Sequence, residues 1–162
     1  MMQKEKLDLK ELLNEQTINL HSTADSKTEV LKEMVSKLES IGSVSDASSF
    51  LKDVYEREKE GFTGIGSGIA IPHGKSESVI KNSIMIYRTN QPLEWETLDD
   101  LPVRVIILLA VKIEDQNNLH LKMLASIAGS LADEARCERI TKVESKQELI
   151  QILEQNEEGE DQ

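Results

Sequence analysis

The chain has 162 residues, with 30 Asp and Glu against 19 Lys and Arg, a formal net charge of −11. That length supports one domain around one good core, and the negative charge repels phosphate backbones and anionic membranes, which argues against nucleic acid as a partner. No run of about 18 apolar residues occurs and the Met-Met-Gln-Lys-Glu-Lys start has no apolar stretch, so a soluble, cytoplasmic protein without membrane insertion is expected.

In chain order, residues 1–15 read as a polar N-terminal segment. Gln16-Thr17-Ile18-Asn19-Leu20 then alternates polar and apolar, which predicts a short strand with one face buried, and His21-Ser22-Thr23-Ala24-Asp25 reads as turn and cap residues. From Ser26, the apolar residues Val30, Leu31, Met34, Val35 and Leu38 recur at steps of three and four, an amphipathic helix closed by Gly42. Asp46 or Ser45 caps a second helix that carries Phe50, Leu51, Val54 and Tyr55 inward to about Lys59, with Gly61 as its stop.

Five of the eight glycines lie between Gly61 and Gly74, which predicts a loop or a loop-strand mixture, with Ile69-Ala70-Ile71 as a brief strand inside it. Ser83–Arg88 and Val103–Val111 read as strands, the second apolar on both faces and so central in its sheet; Gln91–Trp95 between them reads as a turn with an edge strand. Asn117 or Asn118 caps a helix with Leu121, Leu124, Ala125, Ile127, Ala128 and Leu131 inward. Ser145 caps a last helix through Leu149, Ile150, Ile152 and Leu153, and residues 154–162 read as a disordered acidic tail. Helices interleaved with strands make this an α/β single domain, a mixed β-sheet flanked by helices on both faces. The lone Cys137 can form neither an internal disulfide nor a cysteine metal cluster and is expected as a packed thiol.

The stretch Gly68-Ile69-Ala70-Ile71-Pro72-His73-Gly74-Lys75-Ser76 comes close to a nucleotide-binding loop, which needs four residues between its first glycine and Gly-Lys-Ser. Here five intervene, two are Ile, and Pro72 has no N–H to offer a phosphate. Gly64-Ile65-Gly66-Ser67-Gly68 fails as a dinucleotide fingerprint because it follows a helix rather than a strand.

The alternative makes His73 the reacting group. A neutral imidazole is a nucleophile and forms a labile phosphoramidate, so it accepts and releases a phosphoryl group without metal or cofactor. Pro72 and Gly74 restrict the backbone and keep bulk away, which suits a ring at the mouth of a cleft; a loop histidine with no task remains the competing reading. Arg57 ends the second helix just before the glycine segment, where it could fold over the same cleft or stand as a solvated charge. His120 opens the helix after the central strand, the end of an α/β sheet where ligands usually bind; it could donate to a phosphoryl oxygen or to His73, or be a half-buried capping residue. His21 has no comparable context.

Taken together, the stretch from Ser26 to Ser76, containing Arg57-Glu58, Thr63-Gly64-Ile65-Gly66 and Ala70-Ile71-Pro72-His73-Gly74, with Val103–Val111 and His120-Leu121 downstream, closely resembles the fructose and mannitol type enzyme IIA domain of the bacterial phosphoenolpyruvate-dependent sugar phosphotransferase system. The likeness runs from about Ile18 to Leu153, and implies a IIA domain over 16–153. It implies that His73 takes a phosphoryl group from phospho-HPr and passes it to a cysteine of a IIB domain, that Arg57 and His120 surround that group, and that Thr63, Gly64, Gly66 and Gly74 shape the phosphoryl-site loop. No cofactor or metal is implied, and Cys137 matches no IIB phosphocysteine. IIB and IIC are then expected on separate chains, with this protein peripheral to a IIC permease through IIB and the sugar chosen by IIC. Phe62 stands where a smaller or polar residue is often found. The nitrogen-related regulatory branch shares the same motifs, and there the phosphorylation state of His73 would control protein targets without sugar transport.

Overall fold

The computed structural model describes residues 9–114 and 118–159, with side chains as far as 154. Its elements are α1 (Leu9–Leu12), β1 (Ile18–Ser22), α2 (Lys27–Ser40), α3 (Ala47–Glu60), β2 (Gly64–Gly66), β3 (Ile69–Ala70), β4 (His73–Ser76), β5 (Ser83–Leu93), β6 (Val103–Lys112), α4 (Leu119–Ser130), α5 (Glu134–Lys142) and α6 (Lys146–Gly159). The six strands form one mixed sheet in the order β1-β5-β6-β3-β2, with β4 also on β6. β5 and β6 are antiparallel, while β1 runs parallel to β5 and both β3 and β4 run parallel to β6.

β6 is central because its side chains alternate between two cores. Val105, Ile107, Leu109 and Val111 join the layer that holds α1, α4, α5 and α6. Ile106, Leu108 and Ala110 join the layer that holds α2 and α3. The fold is thus the α/β mixed sheet with helices on both faces that the sequence predicts. The α2 stripe Val30, Leu31, Met34, Val35, Leu38 is buried as its spacing requires. Ser26 caps α2 by accepting from the Glu29 amide, and Asp46 caps α3 by accepting from the Ser48 and Ser49 amides.

Several expectations shift. Residues 1–8 lie outside the described residues, but Leu9, Leu12 and Leu13 of the supposed polar segment are core residues, because their helical spacing presents three leucines to one side. The first strand begins at Ile18 and takes in His21 and Ser22, with His21 exposed, rather than ending in a turn. The glycine segment is the loop-strand mixture: it contains β2, β3 and β4, each too short to show a period, with β3 and β4 paired to the distant β6 and β2 paired to β3. β3 and β4 follow each other along the same edge of β6, interrupted at Ile71-Pro72, where proline cannot donate to the ladder. β5 continues through Gln91 and Pro92 to Leu93 instead of turning there.

On α4 the buried line is Met123, Ile127 and Ser130, while Ala125 and Ala128 are exposed and Leu121 is 64% exposed. Of the residues expected inward, Ile127 and Leu131 are buried and Leu124 packs against the same core, while Leu121, Ala125 and Ala128 face outward, because apolar residues lie on more than one face of the helix and define its phase loosely. Asn118 is its N-cap, in a left-handed conformation and without a side-chain cap bond; Asn117 lies outside the described residues. Ser145 caps α6 by accepting from the Glu148 amide, and the backbone of α6 continues to Gly159, so the part of the tail from 154 to 159 is helical rather than disordered. Cys137 is buried, its thiol donating to the Leu131 carbonyl at 3.2 Å. Among the described residues, no helix is long and apolar enough to cross a membrane.

Candidate functional site

His73 is the first residue of β4, paired with Leu109 of β6. Side chains alternate along a strand, so His73 and Gly74 face opposite sides of the sheet. The Gly74 side carries α3: a β-carbon on Gly74 would stand 2.9 Å from both Phe50 Cε1 and Val54 Cγ2. Only a hydrogen fits where helix and strand meet this closely. Three residues on from Val54, on the same face of α3, Arg57 extends to the imidazole.

The contacts of His73 define its protonation. Arg57 Nε donates to His73 Nε2 at 3.1 Å, and His73 Nδ1 lies 3.2 Å from the Ile71 carbonyl oxygen. A guanidinium has no acceptor, so Nε2 must carry the lone pair, which leaves the proton on Nδ1, donating to Ile71. The ring is 7% exposed, covered rather than open at a cleft mouth as the sequence suggested. Burial pushes its pKa below the ordinary 6.5; the Ile71 carbonyl opposes that shift, the Arg57 and His120 charges add to it, and Glu58 opposes it.

Arg57 is half-buried and doubly held, its Nη1 donating to the Gly61 carbonyl at 2.9 Å. His120, in the first turn of α4, brings its ring to 5.0 Å from that of His73, centroid to centroid, at 57° between planes. Arg57, His73 and His120 therefore converge, from α3, β4 and α4. His21 lies in β1 and is no part of this group.

Of the loop residues, Thr63 is buried and its hydroxyl donates to Glu58. Gly64 lies against the Glu96-Thr97 backbone, where a β-carbon would come within 2.4 Å of the Glu96 carbonyl oxygen. Gly66 lies in the turn held by Asp99, which accepts from the Ser67 amide at 3.0 Å and the Leu101 amide at 3.1 Å. At both positions the glycine serves close packing, against Glu96-Thr97 and against the Asp99 carboxylate. The residues missed by sequence reasoning are Ile71 and Gly61, which contribute through carbonyl oxygens and so leave no side-chain signature, and the group behind Arg57. There Lys27 of α2 bonds Glu58 at 2.8 Å and Glu96 at 3.3 Å, with its ammonium 4.8 Å from the centre of the Trp95 ring. The adjacency of Arg57 and Glu58 at the end of a helix was the one available signal.

Chemically, the site offers an unprotonated imidazole nitrogen beside a fixed guanidinium and a second imidazole. That set provides a nucleophile and donors for an oxyanion, but no pair of carboxylates for acid–base work.

Residues 11–156 match the family described as "Phosphoenolpyruvate-dependent sugar phosphotransferase system, EIIA 2". The fructose-specific EIIABC component of the phosphotransferase system of Bacillus subtilis (strain 168) is 33% identical over 150 residues, 93% of this chain and 24% of that protein. The 2-O-alpha-mannosyl-D-glycerate-specific EIIABC component of Escherichia coli (strain K12) is 29% identical over 91% of this chain and 22% of that protein. The chain thus spans under a quarter of the length of either relative. The nitrogen regulatory protein of Escherichia coli (strain K12) is 33% identical over 148 residues, 91% of this chain and 90% of that protein. Among solved structures, nitrogen regulatory protein IIA-Ntr from Neisseria meningitidis superposes with a TM-score of 0.78 at 31% identity, covering 85% of this chain and 93% of that one. IIA mannitol from Escherichia coli gives 0.72 at 26% identity, covering 87% and 98%.

Proposed function

Because the chain belongs to the EIIA 2 family of the phosphoenolpyruvate-dependent sugar phosphotransferase system, we propose that it is a phosphoryl carrier whose acceptor atom is Nε2 of His73. The observation that supports this most is the pair of contacts on the ring: Arg57 Nε on Nε2 and the Ile71 carbonyl on Nδ1. Together they leave the lone pair on the nitrogen that faces the guanidinium.

In the reaction, the Nε2 lone pair forms a bond to phosphorus as the bond between phosphorus and the donor breaks in line. Nδ1 keeps its proton on Ile71 throughout, so no proton needs to move. The guanidinium that rests on Nε2 shifts onto the phosphoryl oxygens, where it and His120 offset the developing charge. Access to the ring needs displacement of that half-exposed side chain rather than opening of the core. The donor is phospho-HPr and the acceptor a cysteine of a IIB domain, for uptake of a fructose- or mannitol-class sugar through a IIC permease. Phe62, Ile65 and Leu121, exposed apolar neighbours in sequence of Thr63, Gly64 and His120, suit docking of those partners.

A second reading is supported by the relatives named nitrogen regulatory protein, of which this chain covers 90% at up to 33% identity. In it, His73 is phosphorylated in the same way, but its state governs binding to regulatory targets and no sugar moves.

The test is to label the protein from phosphoenolpyruvate, enzyme I and HPr and then add a fructose-type IIB domain. Label that enters wild type, is absent from His73→Ala and discharges to IIB supports the transport reading. Label that enters but does not discharge favours the regulatory one. Label retained by His73→Ala contradicts both.

A further inference from the structure

Glu58 lies next to Arg57 on the last turn of α3, and its side chain is only 7% exposed. A carboxylate buried to this degree needs partners. It has Lys27 from α2 and the Thr63 hydroxyl.

Thr63 occupies a junction. Its hydroxyl is bound to Glu58, and its carbonyl accepts from the Ile71 amide at 2.9 Å. The Ile71 carbonyl is the group that His73 Nδ1 faces. Two residues before Thr63, the Gly61 carbonyl holds Arg57 Nη1. Both oxygens that orient the reacting pair therefore hang on the 61–71 backbone, and the Glu58–Thr63 bond is a second side-chain tie, beside Arg57–Gly61, between that backbone and the helix that carries Arg57.

We propose that Glu58 is a positioning residue for phosphoryl transfer, acting through Thr63 to fix the Ile71 carbonyl that sets the His73 tautomer and the Gly61 carbonyl that holds Arg57. Lys27 compensates the charge of Glu58 and leaves the carboxylate tolerable beside an incoming dianion. The groups that face His73 are then Arg57 and Glu58 from α3 and His120 from α4, with the Ile71 carbonyl from its own segment. The consequence for transfer rests on His73 being the phosphoryl acceptor; the consequence for the tautomer does not.

The experiment uses the full chain, labelled with nitrogen-15, and reads the imidazole nitrogens by long-range proton–nitrogen correlation, with no donor present. Wild type is expected to show His73 protonated at Nδ1 only. Thr63→Val is expected to show a mixture of tautomers and a turnover for phosphoryl acceptance lower by about tenfold or more, with KM for phospho-HPr within roughly twofold. Thr63→Ser, which restores the hydroxyl, is expected to return both readings to wild type. A folded Thr63→Val with the wild-type tautomer and turnover overturns the proposal, as does a Thr63→Ser equally impaired. Should Thr63→Val not fold, Glu58→Leu decides: its side chain offers Thr63 no hydrogen-bond partner, so a mixed tautomer is expected and an unchanged one overturns the proposal. Wild-type protein that shows the Nδ1–H tautomer but takes no label would contradict the carrier reading and leave the tautomer comparison to decide the Glu58 tie.

Discussion

Arg57 Nε donates to His73 Nε2 across 3.1 Å, so a cation rests on the nitrogen it keeps unprotonated and holds that lone pair until the guanidinium moves aside. The arrangement joins two tasks in one side chain. It keeps the imidazole neutral, since a proton on Nε2 would meet a donor, and under the proposed function it places positive charge where the phosphoryl group would arrive.

Replacing Arg57 with alanine should therefore slow phosphoryl acceptance by about 10²–10³-fold, the usual cost of one preorganised donor. Because the side chain is half-buried, with its contacts on Gly61 and His73 alone among those described, the melting temperature should barely move. Arg57→Lys should rescue little, since one ammonium lacks the fork that spans the Gly61 carbonyl and the imidazole. Single-turnover transfer from phospho-HPr beside a thermal melt checks both; normal transfer with a large stability loss would reverse the assignment.

Stability should depend on pH through His73. Its pKa in the folded chain lies below the ordinary 6.5, so below that pH the unfolded chain binds the proton first. Stability is then fully present above about pH 6.5 and falls as pH drops through the window between 6.5 and the lowered folded value. The carboxylates Asp46 and Asp99, held below their ordinary range by amide hydrogen bonds, act only at lower pH. Urea unfolding of wild type and His73→Asn should give curves that converge on acidification from neutrality; parallel curves would count against a depressed pKa.

Gly74→Ala should cost about 1–3 kcal/mol, since the added methyl meets Phe50 and Val54, both fully buried. As α3 moves away to make room it carries Arg57 with it, so transfer should slow together with the loss of stability. Denaturant midpoints and transfer rates measured on the same sample check this coupling; a variant with lost stability and full activity would separate α3 packing from the site.

Leu121→Ser should change stability by less than about 0.5 kcal/mol, because the side chain is exposed beside the buried Met123–Ile127 line of α4. Docking of a partner should weaken instead, read as a higher KM for phospho-HPr with turnover unchanged. A large drop in melting temperature would restore the inward phase that the sequence suggested.

Much of the fold was legible where periodicity was strong. The α2 stripe, the two-faced β6 strand and the caps Asp46 and Ser145 follow from spacing and cap chemistry alone, whereas the cap of α2 is Ser26, just beyond the 21–25 stretch read as turn and cap residues. Of the short elements only β3 was legible, as the Ile69-Ala70-Ile71 strand; β2 and β4 have three and four residues and exist through their pairing to β3 and β6. On α4 only Leu124, Ile127 and Leu131 of the residues expected inward meet the core, while Leu121, Ala125 and Ala128 are exposed, because its apolar residues are not confined to one face. At the site, the side chains with chemical reach, His73, Arg57 and His120, could be named from residue type and position. The carbonyls of Ile71 and Gly61 could not, since a backbone oxygen is present at every residue and only the fold selects which one faces the ring.

The central claim is tested most directly by mapping the modification itself. After incubation of the protein with phosphoenolpyruvate, enzyme I and HPr, digestion at alkaline pH and tandem mass spectrometry should place an acid-labile phosphoryl group on the peptide that contains His73, and nitrogen-15 spectra of the intact phosphoprotein should place it on Nε2. A phosphoryl group found on His120 or His21, one attached to Nδ1 of His73, or none at all under conditions that phosphorylate a known IIA protein, would contradict the account.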